Sequence, residues 1–269
     1  MKLISELYNP FQPLLTNSGL KCFDLSLEQA LASSALNGIV HSYLQISTVK
    51  PTPYPVIPDG TQAFYIAPYG FKLGGSHAQA FDIPLLEPGQ YFGVRFHPGA
   101  LRFFLDLDAS EISSQLVDAQ YFPSLQLDRL HNDIYQNQSF SGRVNICEQW
   151  LLSKVKPQLS TRFDLALSKI YQSFGNVKVS HLSSEVGWSS RHLNRIFQLY
   201  TGLSTKKFMQ TIRVQHACRL LYTLPSSSPD MALGLGYFDQ SHFLNDYKKR
   251  LLLNPNDFFD RFRSDFYNS

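Results

Sequence analysis

The sequence predicts an α+β protein of two domains: a β-rich, barrel-like domain with trailing helices over residues 1–159, then an all-α domain with two helix-turn-helix units over 160–269. Three observations predict it. The first 124 residues hold short aromatic and β-branched runs between Pro and Gly turns, and the remainder is apolar at helical spacing. The basic charge is also one-sided, with 10 Lys and Arg against 13 Asp and Glu in residues 1–159, and 14 against 8 in 160–269. A cationic unit joined to a mildly acidic one is the charge layout expected of a DNA binder.

A chain of 269 residues fits two domains at roughly 100–200 residues each. With 43% hydrophobic and 17% charged residues, disordered and fibrous classes are excluded. Glu6 and Pro10 interrupt what an export signal would need, and no apolar run approaches the ~18 residues of a membrane span, which predicts a cytoplasmic protein. Cys22, Cys147 and Cys218 are scattered and odd in number, so they read as small buried apolar residues, not as disulfides or a zinc site. His77 and His97 lack the spacing of a barrel metal site. No GxSxG, HExxH or Gly-rich phosphate loop is present, so neither an enzyme, a cofactor nor a metal is expected.

In the first domain, Ile39–Val49, Gln62–Ala67 and Tyr91–Phe96 read as strands, bounded by Pro51-Thr-Pro53, Pro58-Asp-Gly60 and Gly74-Gly75. On the last of them Tyr91, Gly93 and Arg95 share one face, and Phe92, Val94 and Phe96 the other. If the first face lines a cavity, Arg95 is placed to pair with a ligand carboxylate; if it faces water, Arg95 is a surface charge. The many aromatic residues of this domain either fill its core or line a pocket. Tyr65, His77, Tyr91 and Arg95 are the candidate ligand-binding residues. From about Leu125 the pattern turns helical. Leu127, Leu130 and Ile134, then Val144, Cys147, Leu151 and Val155, mark two helices that end near Pro157 and either close the domain or form a homodimer interface.

The second domain contains one plan twice. Leu182 to Ser189 and Met231 to Asp239 each run from a small residue (Ser183, Ala232) to a Gly (Gly187, Gly236), an aromatic and a polar cap. A helix-turn-helix needs the small residue where its helices cross and the Gly where the turn takes a positive φ. Ser189 and Asp239 suit N-caps, and the helices after them have apolar faces at Leu193, Ile196, Phe197 and Tyr200, and at Phe243, Tyr247 and Leu251. The opposite face of the first carries Arg191, His192, Asn194, Arg195 and Gln198. Arg suits guanine and Asn suits adenine in the major groove. Between the units, residues 204–223 form one helix of about 30 Å, near the ~34 Å between successive major-groove faces of a duplex. Val214, Ala217, Leu221 and Leu224 pack it, leaving Lys206, Lys207, Arg213 and Arg219 for phosphates or surface ion pairs. Lys248, Lys249 and Arg250 lie toward the end of the second of these helices, where phosphate contact is expected.

On Leu182–Gly187, Leu193–Phe197, Gly202–Phe208, Arg213–Leu221, Ala232–Tyr237, Gln240–Phe243 and Pro255–Phe258, the chain resembles the AraC/XylS family of bacterial transcription regulators across about residues 165–263. The resemblance implies seven helices, two of them recognition helices in adjacent major grooves of double-stranded DNA, and contact with RNA polymerase. It also implies base contacts from Arg191, Asn194 and Arg195 in the first helix and from Ser241, His242 and Asn245 in the second. Three departures stand out: Thr205 where the family has Pro, Leu252 where it has Gly, and Asp246 as an acid beside the expected DNA surface. Pro58-Asp-Gly60 and Gly93–Ala100 resemble the N-terminal domain of a subset of these regulators. The expected function is transcription regulation under control of a small molecule bound in the first domain. The alternatives are a first domain that binds a protein or only itself, and a DNA-bending or occluding structural factor.

Overall fold

The computed structural model describes residues 8–123, 126–156, 161–223, 229–253 and 257. Expectations placed on Leu125, Pro157, Leu224, and on Pro255 and Phe258, lie outside them.

A short helix α1 (Asn17–Lys21), capped by Thr16, leads into eight strands: β1 (Ser26–Ala30), β2 (Val40–Thr48), β3 (Tyr54–Val56), β4 (Gln62–Ala67), β5 (Gly70–Gly74), β6 (Phe81–Ile83), β7 (Gly89–Phe96) and β8 (Leu116–Asp118). Six form one antiparallel sheet in the order β1-β2-β7-β4-β5-β8, and β3 pairs with β6 as a separate ribbon. The expected barrel is therefore an open sheet. Its last edge strand is only three residues long, too short to zip against β1 and close the cylinder.

The two-residue period of the strands sorts the side chains into two layers. Phe64, Ile66, Phe92, Val94 and Phe96 enter a core with α2 (Leu127–Gln136) and α3 (Phe140–Lys154). A register shift between Val40 and Ser42 lets Val40 and Tyr43 join the same core. Leu127, Leu130, Ile134, Val144, Cys147 and Leu151 all pack there, so the helical faces that suggested a dimer interface are instead used against the sheet. Each such buried side chain stabilises the fold by roughly 1.5–3 kcal/mol. Tyr91, Gly93, Arg95 and Tyr65 face the other way, toward the β3–β6 ribbon.

The second domain is helical throughout its described residues: α4 (Arg162–Gln172), α5 (Val179–Glu185), α6 (Ser190–Thr201), α7 (Thr205–Thr223), α8 (Pro229–Gly234) and α9 (Gln240–Leu251). Helix α4 opens with a capping box, in which Thr161 and Asp164 each bond the other's backbone N–H. Helix α7 runs through two cores. Phe208, Met209 and Ile212 pack with Leu182, Leu193 and Phe197, while Val214, Ala217, Cys218 and Leu221 pack with Ala232, Phe243 and Tyr247. The amino-terminal stretch crosses over to these cores, Tyr8 entering the first and Leu14 the second. Residues 8–14 thus pack with the helical domain, although the sequence places them in the other one. Among the described residues no helix is long and apolar enough to cross a membrane.

Candidate nucleic-acid interface

Helices α5–α6 and α8–α9 form the two helix-turn-helix units, and the local chemistry is that of their sequences. Gly187 and Gly236 hold φ of 67° and 78° in the turns. The Ser189 and Asp239 side chains accept from the backbone N–H groups of His192 and His242, capping α6 and α9. Ser183 is buried at the crossing, with its Oγ 3.0 Å from Ser190 Oγ, a distance a larger residue would not allow.

On α6, Arg191, Arg195 and Gln198 are exposed, and His192 sits half-buried with its ring edge-on to Trp188. Asn194 is placed differently. Its Oδ1 accepts from Thr205 N at 3.1 Å and its Nδ2 donates to Gln198 Oε1 at 3.1 Å, so the side chain caps the first turn of α7. The bond requires an N–H at position 205, which Thr supplies and Pro would not.

On α9, Ser241, His242, Asn245, Lys248 and Lys249 are exposed, as are Lys206 and Lys207 at the start of α7. Arg250 and Asp246 are not on that surface. Arg250 Nε lies 3.2 Å from Asp246 Oδ1, its Nη1 donates to Ala78 O and its Nη2 to Gln210 Oε1. Tyr237 Oη donates to the other Asp246 oxygen at 3.0 Å. The acid expected beside DNA is thereby neutralised inside the protein, and the arginine expected on phosphates is engaged with it. Arg213 is likewise held, donating to Gly175 O at 2.9 Å with its guanidinium over the Tyr237 ring. Leu252 takes φ of 60° at the end of α9, in the left-handed region that favours Gly.

The first domain holds both recognition helices at their C-terminal ends, where carbonyls lack partners within the helix. Gln62 Nε2 donates to Tyr200 O at the end of α6, and a Cβ at Gly202 would stand 2.7 Å from Ala109 O, so only Gly allows this approach. At the end of α9, Gln79 Nε2 donates to Lys249 O and Ala80 N to Arg250 O. Midway along α7, Gln215 accepts from Phe11 N and donates to Phe11 O and to Pro58 O.

Between the sheet and the β3–β6 ribbon lies a cavity of about 110 Å³, and Tyr65, His77, Tyr91 and Arg95 all line it. Arg95 is buried, not a surface charge, with Nη2 2.5 Å from Asp59 Oδ2. Burial alone would raise the Asp59 carboxyl, but Arg95, together with hydrogen bonds from Gln12 and Thr61, outweighs it and holds the group below the ordinary carboxylate value. His77 stacks on Phe81 at 3.4 Å, and burial pushes its imidazole down to about 4, so it is neutral near pH 7. Asp59, Tyr54 and Gln215 were not among the residues singled out from sequence. Asp59 was visible only as the centre of a Pro-Asp-Gly turn, and nothing local marks Gln215.

Residues 182–261 match the family model described as a helix-turn-helix domain, and residues 28–118 match a domain of unknown function, DUF6597. The chain is similar to the HTH-type transcriptional regulator GlxA of Rhizobium meliloti, 36% identical over 69 residues, which are 26% of this chain and 21% of that protein. An uncharacterized HTH-type transcriptional regulator of Haemophilus influenzae is 30% identical over 115 residues, covering 42% of this chain and 38% of that protein. The matched stretches thus span well under half the length of these relatives. Among solved structures, ToxT from Vibrio cholerae aligns over 87% of this chain and 98% of its own, at 12% identity and a TM-score of 0.40.

Proposed function

We propose that the chain, whose helix-turn-helix domain follows a DUF6597 domain, is a sequence-specific DNA-binding transcription regulator of the AraC type that answers to a small molecule in its N-terminal cavity. The observation that carries this reading is the pairing of two capped recognition helices on one 19-residue helix, α7, about 28 Å long. Arg191, Arg195 and Gln198 read bases from α6, and Ser241, His242 and Asn245 from α9, while Lys206, Lys207, Lys248 and Lys249 hold phosphates. Two cavity-lining segments support control by a ligand. Pro58 lines the cavity and its O accepts from Gln215 of α7, and the lining residues His77 and Phe81 flank Gln79 and Ala80, which donate to the end of α9, so an occupant touches the first attachment of the helical domain and the neighbours of the second.

The test is a binding-site selection with the full chain at two salt concentrations. It should return an asymmetric site of two patches one helical turn apart. Arg195→Ala should relax preference at one or two base pairs by about 1–3 kcal/mol, whereas Lys249→Ala should weaken all sequences alike and lower the salt slope by about one. Recovery of no preferred sequence would leave the DNA-bending or occluding factor as the better reading.

A further inference from the structure

We propose that the cavity between the sheet and the β3–β6 ribbon takes a neutral, single-ring molecule bearing a hydroxyl or carbonyl group, gripped at its polar end by the Tyr54 and Tyr65 hydroxyls. The proposal rests on the reading that this cavity is the ligand site and adds the chemistry of the ligand.

Size sets the first limit. The void of about 110 Å³ is of the order of the ~150 Å³ apolar cavity that accepts benzene, so it suits one ring and not a sugar or a long acyl chain. The walls set the second. Ile46, Val56, Phe81 and Ile83 make most of the lining apolar, and Gly93 on β7 opens the floor. A Cβ built at Gly93 meets only Phe64 O at 3.6 Å and Leu44 Cβ at 3.9 Å, ordinary contacts that leave the space above it free.

The polar groups set the third. Tyr54 is 5% exposed and Tyr65 half-buried, both line the cavity, and neither hydroxyl hydrogen-bonds another described residue, while His77 Nε2 in the same lining is buried without a partner. A hydroxyl that faces the cavity without a protein partner gains a hydrogen bond when a ligand oxygen enters. Burial raises both phenols above their ordinary value, so each stays neutral and offers one donor and one acceptor. The charge beside them is already balanced, because Arg95 is paired with Asp59 inside the protein. An anion entering there would lose its water and gain no free buried cation in return. Lys72, the other cation of the lining, is half-exposed on β5 and keeps its own hydration.

The experiment is isothermal titration of the full chain at pH 7 with phenol, cyclohexanol, benzene and benzoate. Phenol and cyclohexanol should bind, benzene about tenfold more weakly, and benzoate not at all. Tyr54→Phe and Tyr65→Phe should each weaken phenol about tenfold while leaving benzene unchanged. Gly93→Leu should abolish binding by filling the floor, and the milder Gly93→Ala, which tests the same space if the Leu variant does not fold, should weaken it severalfold. Benzoate binding at least as tightly as phenol, with loss in Lys72→Ala, would overturn the assignment, as would phenol binding that survives the Gly93 changes or a panel that does not bind. Phenol that binds as described but leaves DNA affinity unchanged would uphold the ligand chemistry and remove small-molecule control. DNA binding without any phenol binding would remove the ligand chemistry and leave the DNA-binding reading standing.

Discussion

The first helix-turn-helix unit keeps its arginines in solvent and uses an asparagine to fasten itself to α7, whereas the second buries an arginine with an acid and leaves its lysines outside. The two units share turn, caps and apolar face, so the difference lies in what each polar residue meets. In the first, Arg191 and Arg195 are free to hydrogen-bond base edges, the geometry of readout. In the second, the exposed cations are Lys248 and Lys249, point charges on flexible stems that suit phosphates. The second unit is joined to the N-terminal domain through Arg250 to Ala78 O and through the capping of its last carbonyls by Gln79 and Ala80. Under the proposed function, the first unit selects sequence and the second supplies affinity.

The largest effect should come from breaking the buried pair of the second unit. The Arg250 and Asp246 side chains are 6% and 9% exposed, so Asp246→Ala leaves a guanidinium buried without its partner and should cost about 3 kcal/mol in urea unfolding. Arg195→Ala, on the free face of the first unit, should change stability by no more than about 0.5 kcal/mol. Equal losses in the two variants would mean that the units do not differ as described.

A smaller effect sharpens the role of Asn194. Asn194→Ala removes the cap on α7 and should cost about 1 kcal/mol of stability while leaving base preference intact. Thr205→Pro removes the N–H that holds the amide, and in that background the same Asn194→Ala change should alter base preference. The assignment is wrong if Asn194→Ala shifts base preference in the wild-type chain at no cost in stability.

The smallest effect concerns the end of the second recognition helix. Leu252 carries a side chain in a left-handed conformation that Gly adopts without strain, and it is exposed, so little packing is lost on replacing it. Leu252→Gly should raise stability by about 0.5–1 kcal/mol, read as an increased midpoint of thermal unfolding. A decrease would show that the exposed leucine makes contacts worth more than the strain.

Much of this was decided by the sequence alone, because the chemistry involved is local. The glycines, caps and apolar spacing of residues 182–197 and 232–251 specify two helix-turn-helix units within a few turns of chain, and the alternation along Tyr91–Phe96 already separates the Arg95 face from the aromatic face. What periodicity cannot supply is the identity of whatever lies opposite a face. It marked Arg250, Arg213 and Asn194 as free on exposed helices, and marked Asp246 as an acid near DNA. Their partners instead came from elsewhere: Arg250 meets Ala78 at a separation of 172 residues, Arg95 meets Asp59 at 36, and Gln215 meets Phe11 at 204. A charged or amide side chain reads as solvated until the fold brings a partner to it, because burial and pairing are properties of two distant segments together and of neither one alone. The open sheet has the same origin, since closing a barrel depends on whether two edge strands are long enough to pair, and only the folded chain sets β8 at three residues.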